Sequence, residues 1–200
     1  MGYTTLLDIL GASIVGGILL LTLFRIQDNT IQNFFFYNSD LILQTNLLDI
    51  IEVVESDLRR IGYCAVPENF PDPTQAIIAA DSVSIRFLSD TNLNGVMDTV
   101  YYVCGTIAQL AATSNLYDKL LYRYINGSSA STYGVGAVTQ FQLKYFGALG
   151  NELTIPITDL GAIVTMQVSI MVESPDAYDQ NYSNAYWRQV RLASRNLTSR

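Results

Sequence analysis

Histidine is absent from this 200-residue sequence. That removes imidazole acid–base chemistry, histidine-based triads and most zinc sites. Lysine occurs only at Lys119 and Lys144, and the formal net charge is −7. Nucleic-acid binding needs a basic footprint, so no nucleic-acid partner is expected. No proline precedes Pro67, so no helix breaker of that kind interrupts the first third of the chain. Gly-rich phosphate loops, nucleophile elbows and Cys-x-x-Cys pairs are also missing. The chain is therefore expected not to be an enzyme, with an exported hydrolase working through carboxylates as the residual catalytic reading. Only 14% of residues are charged and 50% are hydrophobic, too apolar a balance for a disordered chain. The length suits one domain plus an appendage.

What is present begins with a run from Leu6 to Phe24, LLDILGASIVGGILLLTLF. Its stretch Ile9–Phe24 holds 16 residues without a charge, about 24 Å of helix. With Leu6 and Leu7 it reaches the length of a short membrane span. Gly11, Gly16 and Gly17 are costly in an isolated helix and useful where helices pack closely. A cleavable signal peptide is one alternative, but no basic residue precedes the run and Arg25-Ile26-Gln27 follows it where a small-residue site would stand. A plain anchor is another, though it gives no reason for Asp8 inside the apolar run. An ionisable group at membrane depth usually has a partner, and a neighbouring chain's N-terminal amine would serve.

Residues 28–66 read as an amphipathic helical stem. Leu47, Ile50, Ile51, Val54, Leu58 and Ile61 recur at helical spacing and make one apolar face. Asp49, Glu52, Glu55, Asp57, Arg59 and Arg60 are expected mostly elsewhere on the helix. Arg59 and Arg60 come last, as the helix dipole favours. Gly62 and Pro67 mark the stop. The run Phe34-Phe35-Phe36-Tyr37 is read either as packed on the head or as buried between subunits.

From Pro67 the sequence alternates like strands. Candidates are Ala76–Ala80, Ser82–Ser89, Thr99–Cys104, Lys119–Ile125, Val138–Phe146, Glu152–Ile157, Ile163–Val172 and Trp187–Leu197. Turn signals fall at Asn94-Gly95, Asn126-Gly127 and Gly150-Asn151. The expected class is α+β: a long N-terminal helix packed on a mainly antiparallel sheet. Its parts are an apolar segment over 1–27, the stem over 28–66 and a β-rich head over 67–200. The polar, tyrosine-rich stretch Ser174–Tyr186 is expected to be a loop, either a contact surface or an ordinary exposed connection. Three sequons begin at Asn126, Asn181 and Asn196, a spelling that recurs by chance.

Cys64 and Cys104 form an even pair in a chain that reads as exported. A disulfide between them would close a loop of about 40 residues and contribute about 4 kcal/mol. Two buried free thiols are the alternative.

One motif carries chemistry. Asp90-Thr91-Asn92-Leu93-Asn94-Gly95-Val96-Met97-Asp98 has the form D-x-N-x-N-G-x-x-D, like the first nine positions of a calcium loop. Asp90, Asn92, Asn94 and Asp98 offer side-chain oxygens, with the Val96 carbonyl between. Tyr101 stands where an EF-hand places its bidentate glutamate, and strands flank the loop, so it is not an EF-hand. Two charged ligands predict structural calcium of weak affinity, about 10⁻⁴–10⁻³ M. A polar hairpin loop is the alternative.

Taken together, the apolar-then-amphipathic helix over Tyr3–Tyr63 and the sheet-rich remainder resemble the type IV pilin and pseudopilin superfamily. The head is most similar to the larger minor pilins and pseudopilins, through Ser84-Ile85-Arg86-Phe87, the Asp90–Asp98 loop, Val100-Tyr101-Tyr102, Leu121-Tyr122-Arg123 and Val138–Tyr145. The resemblance is architectural and rests on no diagnostic motif. It implies a structural subunit of an extracellular filament, held in the inner membrane before assembly and then stacked as a helical homopolymer at the cell surface. The alternative it leaves open is a membrane-anchored binding module or a minor pseudopilin of a secretion system, whose surface ligand is unspecified. Members usually carry a glutamate near the mature N-terminus; Asp8 is the nearest equivalent, one methylene shorter and slightly displaced. They also carry a basic leader ending in glycine, and Gly2 is the only candidate processing point here.

Overall fold

A computed structural model describes residues 2–70, 72–127, 133–174 and 182–193. Helix α1 runs over Gly2–Arg59. Eight strands follow: β1 Ile77–Ala80, β2 Ser84–Ser89, β3 Asp98–Cys104, β4 Lys119–Ile125, β5 Tyr133–Val138, β6 Gln140–Phe146, β7 Thr165–Glu173 and β8 Asn184–Ala193. The α+β layout expected from the pattern is observed. The chain divides into two compact units, Met1–Leu41 and Ile42–Arg200.

The first unit is helical throughout its described residues, and its apolar side chains are exposed except for the half-buried Phe36. An 18-residue window in α1 reaches a mean hydropathy of 2.2 with none of it buried, so α1 is long and apolar enough to cross a membrane. Four of its hydroxyls bond within the helix: Thr5, Ser13, Thr22 and Thr30 donate to the carbonyls of Gly2, Ile9, Leu19 and Ile26, so these four need no water. Phe34 and Tyr37 are exposed, and Phe35 and Phe36 meet edge to face with centroids 6.1 Å apart.

In the second unit α1 buries Leu43, Leu47, Ile50, Ile51, Val54 and Leu58. These are the positions the 3.6-residue period selects, extended by one turn to Leu43. They join Ile85, Phe87, Val100, Tyr102, Leu121 and Val138 in one core. The strands form two antiparallel sheets, ordered β1-β2-β3-β4-β5 and β6-β7-β8, where a single sheet was expected. The stretch Val138–Phe146 explains the difference. It is two strands separated by a bend at Thr139, so the chain leaves the first sheet after β5 and founds the second with β6. The two sheets are joined at the β1–β2 turn, where the Leu143 amide donates to the Ser82 carbonyl and the Tyr145 hydroxyl donates to the Asp81 carbonyl at 2.9 Å.

Strand β5, YGVGAV, carries glycine at alternate positions and gave no strand signal. The reason for one of them is spatial. A Cβ on Gly136 would lie 2.6 Å from Ile50 Cδ1, so glycine lets α1 approach β5. Glu152–Ile157 is not a strand; only a single bridge pairs Phe146 with Glu152, and Pro156 has no N–H to give a ladder. All three turn signals are turns, with positive φ at Gly95, Asn126, Gly127 and Gly150. Of the tyrosine-rich stretch, 175–181 lies outside the described residues, as do Ser128, Asn181 and Asn196 of the sequons.

Candidate functional site

The stop of α1 and the Asp90–Asp98 loop form one structure. Gly62 takes φ +72°, a conformation glycine adopts without a Cβ penalty, and its amide donates to the Leu88 carbonyl at 2.8 Å. The Ser89 hydroxyl donates to the Arg60 carbonyl, the Asp90 amide to the Tyr63 carbonyl, and the Arg60 guanidinium to the Asp90 carbonyl. The loop between β2 and β3 is thereby laced to the chain that leaves the helix.

Within the loop Asp90 is the organising residue. Its side chain is buried and accepts three backbone amides: Ala65 at 3.1 Å, Asn94 at 3.1 Å and Gly95 at 2.8 Å. Burial alone would raise its carboxyl, but the amides of Ala65, Gly95, Asn94 and Leu93 hold it below the usual carboxylate range. Asn92 and Asn94 each accept the amide two residues on, a pair of Asx turns. Asp98 receives the Thr91 amide and hydroxyl on one oxygen and the Asn126 side chain on the other at 2.7 Å. Burial raises Asp98 and these donors outweigh it, so it too lies below its ordinary range. The Gly95 carbonyl receives Asn69 Nδ2 at 2.6 Å and the Cys64 thiol at 3.5 Å.

The five sequence-selected positions thus share one compact loop, with Asp90 and Asp98 buried and Asn92, Asn94 and Val96 exposed. In kind they suit a hard cation: two carboxylates, two amide oxygens and a carbonyl. Each side-chain oxygen already accepts a donor, and the Oδ1 atoms of Asp90 and Asp98, which accept one each, keep a second lone pair to offer. Among the described residues no group of three or more Asp, Glu or Cys side chains gathers around a common point. The supporting roles of Thr91, Asn126 and Asn69 were not read from sequence: Thr91 stood only as an unassigned position of the motif, Asn126 only in a turn signal and a sequon, and Asn69 not at all.

The cysteines require a correction. Cys64 and Cys104 are free thiols, not a disulfide. Cys64 contacts Gly95, just before β3 begins, whereas Cys104 is the last residue of β3. Seven residues of extended strand put the two ends about 20 Å apart, far beyond disulfide reach. Burial pushes the Cys104 thiol up to about 11, opposed by Lys119.

Asp57 also departs from expectation. It faces the first sheet and is buried. It accepts the Tyr102 hydroxyl at 2.7 Å and the Arg123 guanidinium on both oxygens. Burial, then the Asp57 charge, raises Tyr102 well above its ordinary value, and Arg123 is raised by Asp57 against its own desolvation. The three groups tie α1 to β3 and β4.

In the N-terminal unit Asp8 is exposed, and Gly11, Gly16 and Gly17 have open space where a Cβ would stand. A small-residue surface and a carboxylate are therefore displayed along the apolar helix. Comparison with protein-family models, with curated proteins and with solved structures finds no match. The layout of a long apolar N-terminal helix and antiparallel sheets is compatible with pilin-like proteins.

Proposed function

We propose that the chain is a structural subunit of an extracellular, type IV pilus-like filament. One observation carries the reading: α1 is apolar and exposed along residues 2–27 yet first buries a side chain at Leu43. So large an exposed apolar surface calls for lipid or for other protein. Lipid would hold the subunit in the inner membrane, and packing of copies through Gly11, Gly16 and Gly17 would replace lipid in the filament core. Asp8 would neutralise the N-terminal amine of the neighbouring copy. The head would form the outer surface, with the Asp90–Asp98 loop holding structural calcium at the stop of α1.

A membrane-anchored binding module, or a minor pseudopilin of a secretion system, draws on the same apolar helix together with the exposed tyrosines of the head. Abundance separates the readings, because a filament is built from many copies and a binding or priming subunit is scarce. The test is quantitative mass spectrometry of surface material sheared from native cells. The filament reading expects this chain as a dominant component; its restriction to membranes would favour the module.

A further inference from the structure

The face of the first sheet opposite α1 carries a row of side chains in strict register. Arg86 on β2 pairs with Tyr101 on β3, which pairs with Tyr124 on β4. The Arg86 guanidinium lies 4.6 Å from the Tyr101 ring centroid. Tyr101 and Tyr124 stack at 6.0 Å, and Tyr122 follows 5.8 Å from Tyr124. A concavity of about 500 Å³ opens over this row, lined also by Thr99, Val103 and Asn126. That volume lies in the range of small-molecule sites.

Arg86 is the only charged group among the lining residues, and among the described residues it makes no salt bridge. Lying over the Tyr101 ring, the guanidinium brings to the concavity a fork of N–H donors that suits a carboxylate. The tyrosines add electron-rich ring faces, which attract the partially positive C–H face of a pyranose, and hydroxyls for its rim. An inorganic anion would use the arginine and none of the rings. An uncharged aliphatic ligand would use the rings and leave the guanidinium unanswered.

We propose that the Arg86–Tyr101–Tyr124 row is a binding shelf for a carboxylate-bearing sugar of the uronic-acid type, two or three residues long. The shelf lies wholly in the head and is independent of filament assembly. The test is calorimetric titration of the full chain, in uncharged detergent, with trigalacturonate and with neutral maltotriose. Trigalacturonate is expected to bind and maltotriose to bind at least tenfold more weakly. R86Q should weaken trigalacturonate about tenfold, the loss of one charge-assisted contact. Y124A should weaken it too, and R188Q, which removes an equal charge on β8, should leave it unchanged. Melting curves would show each variant folded, and Y124F, which keeps the ring, serves if Y124A is not. Absence of trigalacturonate binding, equal binding by R86Q, equal affinity for maltotriose, or equal affinity for triglutamate would each overturn the proposal.

Discussion

The Asp57 carboxylate accepts the Tyr102 hydroxyl at 2.7 Å, tying α1 to the centre of the first sheet, and Arg123 completes the anchor from β4. Removing Asp57 strips the buried Tyr102 hydroxyl and the half-buried Arg123 guanidinium of their shared acceptor. D57A is therefore expected to cost about 3–5 kcal/mol, measured by urea denaturation. R123A should cost less once Asp57 is already gone, and the double variant should fall short of the sum. Additive losses would show that the groups do not act as a unit.

Tyr102 and Tyr145 are both raised above the ordinary tyrosine value of 10.0, by burial first and then by the Asp57 and Asp81 charges. A folded state that holds its protons more tightly than the unfolded state is stabilised below the unfolded pKa and loses that stability as pH climbs above it. Stability should accordingly fall from about pH 10 upward, and Y102F should flatten part of the decline. At the acid end Asp90 and Asp98 are lowered from 3.8. Their contribution is present above that value and is lost as pH drops below it. D98N should remove part of the acid limb, followed by fluorescence of the single tryptophan, Trp187.

Gly136 faces Ile50 at a distance that admits no Cβ. G136A is expected to destabilise the head by about 1–3 kcal/mol, the usual cost of overpacking. L58A, which opens a cavity at a fully buried position, should cost about 2–5 kcal/mol. I50V, which deletes the δ-carbon, should partly rescue G136A, and no rescue would place the strain elsewhere.

Much of this architecture was legible in the sequence, and the losses have physical causes. Leu47, Ile50, Val54 and Leu58 carry the helix face because a 3.6-residue period survives any tertiary context. Asp57 was grouped with the polar residues expected mostly away from the apolar face; its partners Tyr102 and Arg123 lie 45 and 66 residues away, beyond any local pattern. β5 escaped because Gly134 and Gly136 erase the period-two signal, and Ile50 leaves no room for a Cβ at Gly136. The Cys64–Cys104 pairing rested on parity, which says nothing about opposite ends of one strand. The Asp90–Asp98 loop was found because its alternating oxygens follow from local geometry, while Asn126 and Asn69 reach it from other parts of the chain.

Free thiols predict that reducing agent leaves the melting temperature unchanged, and that the intact protein gains two labels when denatured in alkylating agent without reductant. Cys104, raised to about 11, should react slowly at neutral pH. A reductant-dependent loss of about 4 kcal/mol would instead reveal the disulfide.

If the Asp90–Asp98 loop holds calcium, stability should rise with the free ion, by about 2.7 kcal/mol at a concentration a hundredfold above the dissociation constant. Magnesium, which demands a tighter octahedral shell, should do less. D98N should abolish the gain. An unchanged melting temperature across millimolar calcium would leave the loop closed by its own hydrogen bonds.

Stacking of this chain into a surface filament through its exposed apolar helix is decided by electron microscopy of material sheared from native cells, with the chain labelled by antibody against the head. Filaments decorated along their whole length are expected, and their loss when Ile14 is replaced by arginine, a charge costing about 2.5–3.5 kcal/mol at the centre of a span. Unlabelled filaments, or a chain found only as dispersed protein in the membrane fraction, would contradict it.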